Sequence, residues 1–96
     1  MNEKYYEQLL RREVESLGAL CLKLECPGYT GMPDRMILLP GGQVVFAETK
    51  RPGKTERPRQ LYAQAALRKL GFKVFSSVDS SEKIQAIVQE LGARKA

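Results

Sequence analysis

The sequence contains no histidine and no tryptophan, and it has only two cysteines, Cys21 and Cys26. Without histidine, Ser-His-Asp and Cys-His nucleophiles and histidine acid–base catalysis are excluded. Two cysteines are too few for a disulfide framework and, without histidine, do not complete an ordinary zinc site. Any catalysis therefore depends on carboxylates, lysine, tyrosine or a metal ion held by oxygen atoms, and a reducing cytoplasm is the expected compartment.

Long apolar runs are also missing. No stretch approaches the roughly 20 residues that a membrane-spanning helix needs, and the opening residues Met1 to Tyr6 do not resemble a signal peptide. We expect a soluble protein that is not exported.

The size and the charge of the chain narrow the function further. Its 96 residues, of which 43% are apolar, suit a single domain spanning 1–96. A core this small makes self-association as a homodimer a natural way to bury more surface. The net charge of +5 favours nucleic acid or another anionic partner.

The spacing of apolar residues predicts seven elements of secondary structure. They are a helix over 3–17, strands over 19–25, 35–39 and 43–50, a helix over 57–70, a strand over 72–78, and a third helix that Ser80 or Ser81 caps, followed by a frayed tail at 92–96. This α-β-β-β-α-β-α order predicts an α/β fold in which helices flank a mixed β-sheet.

Acidic and basic side chains interrupt the apolar pattern at the ends of two predicted strands. Asp34 stands at the start of one strand, and Glu48 and Lys50 share a face at the end of the next. Two carboxylates there make an oxygen-ligand pocket for Mg²⁺ or Mn²⁺, to which the Thr49 carbonyl adds a further ligand. The Lys50 ammonium would orient a nucleophile or stabilise the transition state. The alternative is that Glu48 and Lys50 form an exposed ion pair and that Asp34 caps a loop.

Basic residues crowd the segment that follows this site. Residues 50–59 hold five of the sixteen lysines and arginines and only one acid, Glu56. Because the segment leaves the carboxylates and enters a helix N-terminus, we expect it to hold phosphates on either side of a scissile bond. The candidate DNA-binding residues are Arg51, Lys54, Arg57 and Arg59. Without the acids beside it, such a loop would be an ordinary solvated surface.

Tyrosines are further candidates, because their rings stack on nucleic-acid bases. Tyr6 and Tyr62 lie at helical spacings, for which packing is the expected role. Tyr29 lies in a proline-bounded loop just before Asp34, and we interpret it as a contact for an unpaired or branched strand. Cys21 is expected to be a buried, reduced thiol in a strand.

Three motifs in this order resemble the stand-alone virus-type replication-repair nuclease (VRR-NUC) domain of the PD-(D/E)xK nuclease superfamily. They are Gly31-Met32-Pro33-Asp34-Arg35, Phe46-Ala47-Glu48-Thr49-Lys50-Arg51-Pro52-Gly53-Lys54 and Arg57-Pro58-Arg59-Gln60. The resemblance covers nearly the whole chain. It implies a restriction-endonuclease-like core, hydrolysis of DNA phosphodiesters with a divalent metal, and catalytic roles for Asp34, Glu48 and Lys50, with Gln60 as an auxiliary residue.

The family also carries a glutamate in its first helix, which the resemblance places at Glu7. Glu3, one turn earlier, and Glu13, nearer the centre of the apolar stripe, are open alternatives. Acids in a first helical turn also serve simply to favour the helix dipole.

The resemblance implies a homodimeric endonuclease that cuts branched DNA such as Holliday junctions, encoded by a phage or prophage and working in the bacterial cytoplasm. Nicking of duplex DNA and cutting of flaps are open alternatives for the substrate. Paired sites about a two-fold axis suit symmetric incisions. The alternative is a non-catalytic nucleic-acid-binding module, in which the acids are structural. A third possibility is a protein-interaction domain that uses the helix faces and shows no salt-sensitive affinity for DNA.

Overall fold

The computed structural model describes residues 2–95, without the side chain of Lys95. The elements are α1 (Glu3–Glu15), β1 (Leu20–Lys23), β2 (Arg35–Leu39), β3 (Gln43–Thr49), α2 (Pro58–Lys69), β4 (Lys73–Val78) and α3 (Ser81–Lys95). This order confirms the predicted succession of helices and strands. None of the helices within residues 2–95 is long and apolar enough to cross a membrane.

The four strands form one mixed sheet in the order β1-β2-β3-β4. β1 pairs with β2 and β2 pairs with β3 in antiparallel fashion, whereas β3 and β4 are parallel. The parallel pair requires a crossover, which α2 provides. Because β2 and β3 run in opposite directions, the residue before β2 lies beside the end of β3, and this brings Asp34 next to Glu48 and Thr49.

Helices cover both faces of the sheet. The larger core lies between the sheet and the helices α1 and α3, and it contains the fully buried Leu10, Ile37, Ile84 and Leu91. α2 packs on the opposite face around Phe46, Leu67 and Val74. Apolar side chains also point outward from α2, where Leu61 and Leu70 are more than half exposed.

The prediction of a frayed tail at 92–96 is wrong for residues 92–95, because α3 continues to Lys95. Leu91 is fully buried, and Gly92 lies against the side chain of Leu17, so packing on the end of α1 extends the helix. Ala96 lies outside the described residues. Of the two serines predicted to cap α3, Ser80 is the one observed. Its hydroxyl accepts a hydrogen bond of 3.2 Å from the Lys83 N–H.

The strand predicted over 35–39 is observed with those bounds, and the other predicted bounds differ by at most two residues at any element end. The predicted strand over 19–25 is the largest case, since only Leu20–Lys23 pair with β2. The next N–H, that of Leu24, donates to the carbonyl of Asp34 at 2.8 Å, and the chain then leaves the sheet for the loop over 26–33.

Candidate active site

Asp34 stands at the end of the loop over 26–33 and is held by Thr49 at the end of β3. The Thr49 N–H donates to Asp34 Oδ1 at 3.0 Å, and the Thr49 hydroxyl donates to Asp34 Oδ2. Thr49 is fully buried, so these two donors hold the carboxylate in one orientation. From the sequence, the Thr49 carbonyl is predicted as a metal ligand. The hydrogen bonds from the Thr49 N–H and hydroxyl to Asp34 are not predicted.

Glu48 and Lys50 are buried, with only 4% and 7% of their surfaces exposed. Their side chains extend to the same side, and Lys50 Nζ lies 4.0 Å from Glu48 Oε2. The alternative of an exposed ion pair at the strand end is therefore wrong. A buried acid and base cost solvation energy and are seldom retained without a partner or a use.

Gln60, in the first turn of α2, joins these two residues. Its Oε1 accepts hydrogen bonds from Lys50 Nζ at 3.0 Å and from the Arg57 N–H at 2.8 Å, and its Nε2 donates to Glu48 Oε2 at 3.4 Å. The same side chain therefore caps α2 and connects the acid to the base. The order of the motifs predicts that Gln60 lies near Lys50 and Glu48. It does not predict the hydrogen bond from the Arg57 N–H.

Glu7 is the first-helix acid that is buried at the site. One carboxylate oxygen from each of Glu3, Glu7 and Asp34 lies within 4.8 Å of the others. Glu7 Oε1 also accepts from Arg35 at 2.8 Å and lies 3.5 Å from Lys23 Nζ.

Glu13 does not belong to this group. Its carboxylate accepts a hydrogen bond of 2.8 Å from Gln85 of α3. The position of Glu13 near the centre of the apolar stripe therefore directs it toward α3 and not toward Asp34.

The carboxyl groups at this site are costly to ionise, and a bound cation would lower that cost. Burial, followed by the negative charge of Asp34, raises the pKa of Glu48 to about 8. Burial also raises the pKa of Asp34, although the hydrogen bonds from Thr49 oppose the shift. Among residues 2–95, Glu48 Oε1 is buried with no hydrogen-bond partner. Glu48 is not part of the group that Glu3, Glu7 and Asp34 form, but its free buried oxygen adds to the oxygen donors around Asp34. Oxygen donors of this kind fit a hard divalent ion such as Mg²⁺ or Mn²⁺.

A polar pocket of about 380 Å³ adjoins these acids. It is lined by Glu3, Lys50, Arg51, Gly53, Lys54, Thr55 and Arg57. Three of the residues predicted to bind DNA thus surround one cavity beside Lys50. The concentration of positive charge suits an anionic group such as a phosphate.

The other two predicted DNA-binding residues, Tyr29 and Arg59, lie together elsewhere, near the outer face of α2. The Arg59 guanidinium carbon is 5.8 Å from the centre of the Tyr29 ring and 5.1 Å from that of the Tyr62 ring. Packing was expected for Tyr62, and this is wrong because 62% of its surface is exposed, whereas packing is confirmed for Tyr6. The burial of Cys21 is also confirmed.

Comparison with known proteins gives consistent results. No protein-family model matches the chain. The curated protein "Putative nuclease p44" of Acyrthosiphon pisum secondary endosymbiont phage 1 is 37% identical over 89 residues, which cover 91% of this chain and 96% of that protein. A solved structure described as a "VRR_NUC domain" has a TM-score of 0.83 and 30% identity, over 91% of this chain and 94% of that one.

Proposed function

Because the chain belongs to the VRR-NUC family of nucleases, we propose that it is a DNA endonuclease that hydrolyses phosphodiester bonds with the help of Mg²⁺ or Mn²⁺. The observation that carries this proposal is that Glu48 and Lys50 are buried side by side, linked by Gln60 at the start of α2, while Thr49 fixes the neighbouring Asp34. The chemistry of this set is that of phosphodiester hydrolysis by a hard cation and a fixed ammonium group.

The carboxylates of Asp34 and Glu48, with Glu7 beside them and the Thr49 carbonyl as a further ligand, would hold the metal ion. When bound, the ion supplies charge neutralisation at the phosphate and a lower pKa for a nucleophilic water. Thr49 acts through Asp34, since its two donors fix the orientation of that carboxylate.

Lys50 and Gln60 have separate roles. The Lys50 ammonium faces the site, where it stabilises the negative charge that builds up on the phosphate oxygens in the transition state. Gln60 keeps Lys50 in place, because its amide oxygen accepts from Nζ while its amide nitrogen donates to Glu48. A buried lysine held in this way needs no reorganisation when the charge develops.

The pocket lined by Arg51, Lys54 and Arg57 supports a role in binding the DNA backbone on one side of the cleaved bond. Contacts of this kind position the nucleic acid without reading its sequence. We therefore expect affinity that falls steeply with salt and depends little on sequence.

The alternative, a binding module without catalysis, explains the basic pocket but not the buried acids. A module that only binds an anion gains nothing from Glu48, a carboxyl group at 4% exposure that is costly to bury and would repel the bound phosphate whenever it is ionised. The acids therefore favour the enzyme over the binder.

The test is cleavage of a closed circular duplex and of a labelled four-way junction in EDTA, Mg²⁺ or Mn²⁺. We expect metal-dependent cutting by the wild type and a loss of about 100-fold or more in Lys50→Ala. The matched control is Lys73→Ala, which removes an exposed lysine on β4. Binding of DNA without cutting in any metal, with Lys50→Ala and wild type alike, would overturn the proposal in favour of the binding module.

We further propose that the enzyme is a homodimer that prefers branched DNA. Leu20 and Leu22 support the dimer, because they lie on the sheet face that α2 shares and remain 54% and 40% exposed. Sedimentation of the wild type and of Leu20→Glu would test it, with a dimer expected only for the wild type. Equal rates on linear duplex and junction would contradict the substrate preference.

The phage origin of the 37% identical relative supports a role for this chain inside a bacterial host, encoded by a phage or prophage. The cytoplasm, where DNA and Mg²⁺ are both present, is the compartment we propose.

A further inference from the structure

Two exposed tyrosines flank one arginine near the outer face of α2. Tyr29 is 42% exposed and Tyr62 is 62% exposed, and the Arg59 guanidinium lies within 6 Å of both ring centres. Cation–π contacts at these distances keep the two rings near one another in water. Exposed aromatic rings held by an arginine are the usual components of a surface on which bases stack.

This cluster is attached to the active site through two connections. Arg59 immediately precedes Gln60, so one residue of α2 contacts the two tyrosines and the next residue binds Lys50. In addition, Arg59 Nη2 donates to the Thr30 carbonyl at 3.3 Å, which ties the Tyr29 loop to the start of α2. The same loop ends at Asp34.

An apolar groove of about 290 Å³ adjoins Tyr29. Its lining residues are Cys26, Tyr29, Met32, Ala63, Ala66, Leu67 and Leu70. These side chains offer a surface to the face of an aromatic ring but few groups that would recognise the edge of a particular base. Stacking there would be tolerant of base identity.

We propose that Tyr29, Arg59 and Tyr62 form a stacking site for a single unpaired base next to the cleaved phosphodiester, a role that rests on the proposed nuclease function. Within a paired duplex each base is stacked on its neighbours, so its faces are not available. The substrate class is therefore DNA with an unpaired nucleotide at or beside the cut, as at a flap, a bulge or an opened branch point.

The charge of this surface favours nucleic acid over a second copy of the chain. Arg59 gives this surface a positive charge of its own, while Arg51, Lys54 and Arg57 line a separate cavity beside Lys50. A two-fold contact through this surface would place the same positive patches opposite one another, which is unfavourable. A polyanion with exposed bases complements both the charge and the rings.

The test uses DNA that carries 2-aminopurine at an unpaired bulge position, because the fluorescence of this base falls when it stacks. Binding is measured in EDTA, so that no cleavage is required. We expect quenching by the wild type and by Tyr62→Phe, and loss of most of the quenching in Tyr29→Ala and Tyr62→Ala. Affinity for the bulged DNA should fall about tenfold in these alanine variants, while affinity for the paired duplex stays within about twofold.

Tyr5→Ala is the matched control, since Tyr5 is 41% exposed but lies on α1, and it should behave like the wild type. Equal quenching and affinity in wild type, Tyr29→Ala and Tyr62→Ala would overturn the stacking site. A change in sedimentation without a change in quenching would also overturn it, and would identify the surface as a protein interface. Quenching that depends on the tyrosines in a protein that cuts no DNA with any metal would support the stacking site while the nuclease function fails.

Discussion

The side chain of Thr49 illustrates how a group that does not itself react sets the geometry of a site. Its N–H and hydroxyl both donate to the carboxylate of Asp34, and it is fully buried in β3. One donor comes from the backbone and survives any substitution except proline. The hydroxyl is therefore the part of this interaction that mutation can isolate.

Thr49→Val keeps the β-branched shape and removes the hydroxyl. We expect kcat to fall about 10- to 100-fold, as for the loss of a charge-assisted hydrogen bond, with KM for DNA little changed because Thr49 does not contact the substrate. Thr49→Ser restores the hydroxyl and should recover most of the rate. Single-turnover cleavage measures both variants, and a Thr49→Ser enzyme as slow as Thr49→Val would show that shape, not hydrogen bonding, is what matters.

The two cysteines should differ sharply in reactivity. Burial raises the pKa of Cys21 to about 11, so at pH 8 it is a protonated thiol shielded by α1 and the sheet. Cys26 is only partly buried in the loop before Asp34. Alkylation of native protein by iodoacetamide should give a single adduct, at Cys26, and both residues should react in denaturant. Mass spectrometry of wild type and Cys26→Ser checks this, and modification of native Cys26→Ser would contradict it.

At the residue scale, the motif order could predict Asp34, Glu48 and Lys50, because the side chains of neighbouring strand ends meet when the strands pair. The partners of these residues could not be predicted. The bonds from Thr49 to Asp34 and from Arg35 to Glu7 join residues 15 and 28 positions apart, so they exist only after the elements pack. Helical spacing likewise predicted packing for Tyr62, but α2 is apolar on both sides and spacing alone does not say which side faces the core.

At the scale of elements, the loop before Asp34 is fixed by its close approach to α2. Gly31 has φ of +97°, and a Cβ there would lie 2.4 Å from the Arg59 carbonyl oxygen. Only glycine accommodates both the backbone conformation and the contact. The glycine of the Gly-x-Pro-Asp motif therefore determines how near the loop that leads to Asp34 lies to the helix that carries Gln60.

Gly31→Ala should separate the loop from α2. We expect the free energy of unfolding to fall by about 1–3 kcal/mol from backbone strain and displacement, and cleavage to fall further because Asp34 and Gln60 no longer keep their relative positions. Gly41→Ala is the control, since it also has positive φ but an added Cβ there meets no atom within 4 Å. Urea unfolding of both variants measures the difference. Equal cleavage by the two variants would contradict the positioning role of Gly31.

Glu56, the one acid in the basic segment 50–59, connects that segment to β4. Its carboxylate accepts from the Ser77 N–H at 2.7 Å and from the Ser77 hydroxyl at 2.6 Å. Ser77 has φ of +54°, a conformation uncommon for any residue but glycine. The two hydrogen bonds therefore hold both an unusual backbone and the loop that carries Lys54 and Arg57.

Glu56→Gln should make stability less dependent on pH in the acidic range. Burial raises the pKa of Glu56, but the hydrogen bonds from Ser77 outweigh it and the net pKa is lowered. The unfolded chain thus binds more protons than the native state, so this contribution is complete above the unfolded value of about 4.5 and is lost as the pH falls through the folded pKa.

Urea unfolding at pH 3, 4, 5 and 7 measures this effect. At pH 7 we expect Glu56→Gln to lose about 1–2 kcal/mol, and the difference from wild type should shrink as the pH falls. Glu25→Gln, which replaces an exposed acid, should follow the wild type at every pH. A constant difference between Glu56→Gln and wild type at all four pH values would contradict the role of the charged carboxylate.

At the scale of the whole molecule, the order of the seven elements could be predicted because apolar runs or periodic apolar positions mark the elements, and glycine, proline or serine residues separate them. The end of α3 could not, since Gly92 continues the helix only because Leu91 and Leu17 provide a surface for it. The sheet brings Asp34 and Glu48 together where β2 begins and β3 ends, and their mutual repulsion opposes folding. A substitution that removes one of these acids should therefore raise the free energy of unfolding while it lowers activity.

Glu48→Gln exposes this conflict between stability and activity, because it removes a buried ionisable group whose pKa burial raises to about 8, while keeping the shape and the acceptor for Gln60. Without metal, we expect the variant to be more stable than wild type by about 1–2 kcal/mol. With Mg²⁺ at about 100 times its Kd, binding to the native state should stabilise the wild type by about 2.7 kcal/mol. In a domain of this size the melting temperature should then rise by on the order of 10 °C. The variant should gain much less. Thermal unfolding in EDTA and in Mg²⁺ at constant ionic strength measures both effects. If Glu48→Gln is the less stable protein in EDTA and gains as much from Mg²⁺ as wild type does, Glu48 is a structural residue and holds no metal.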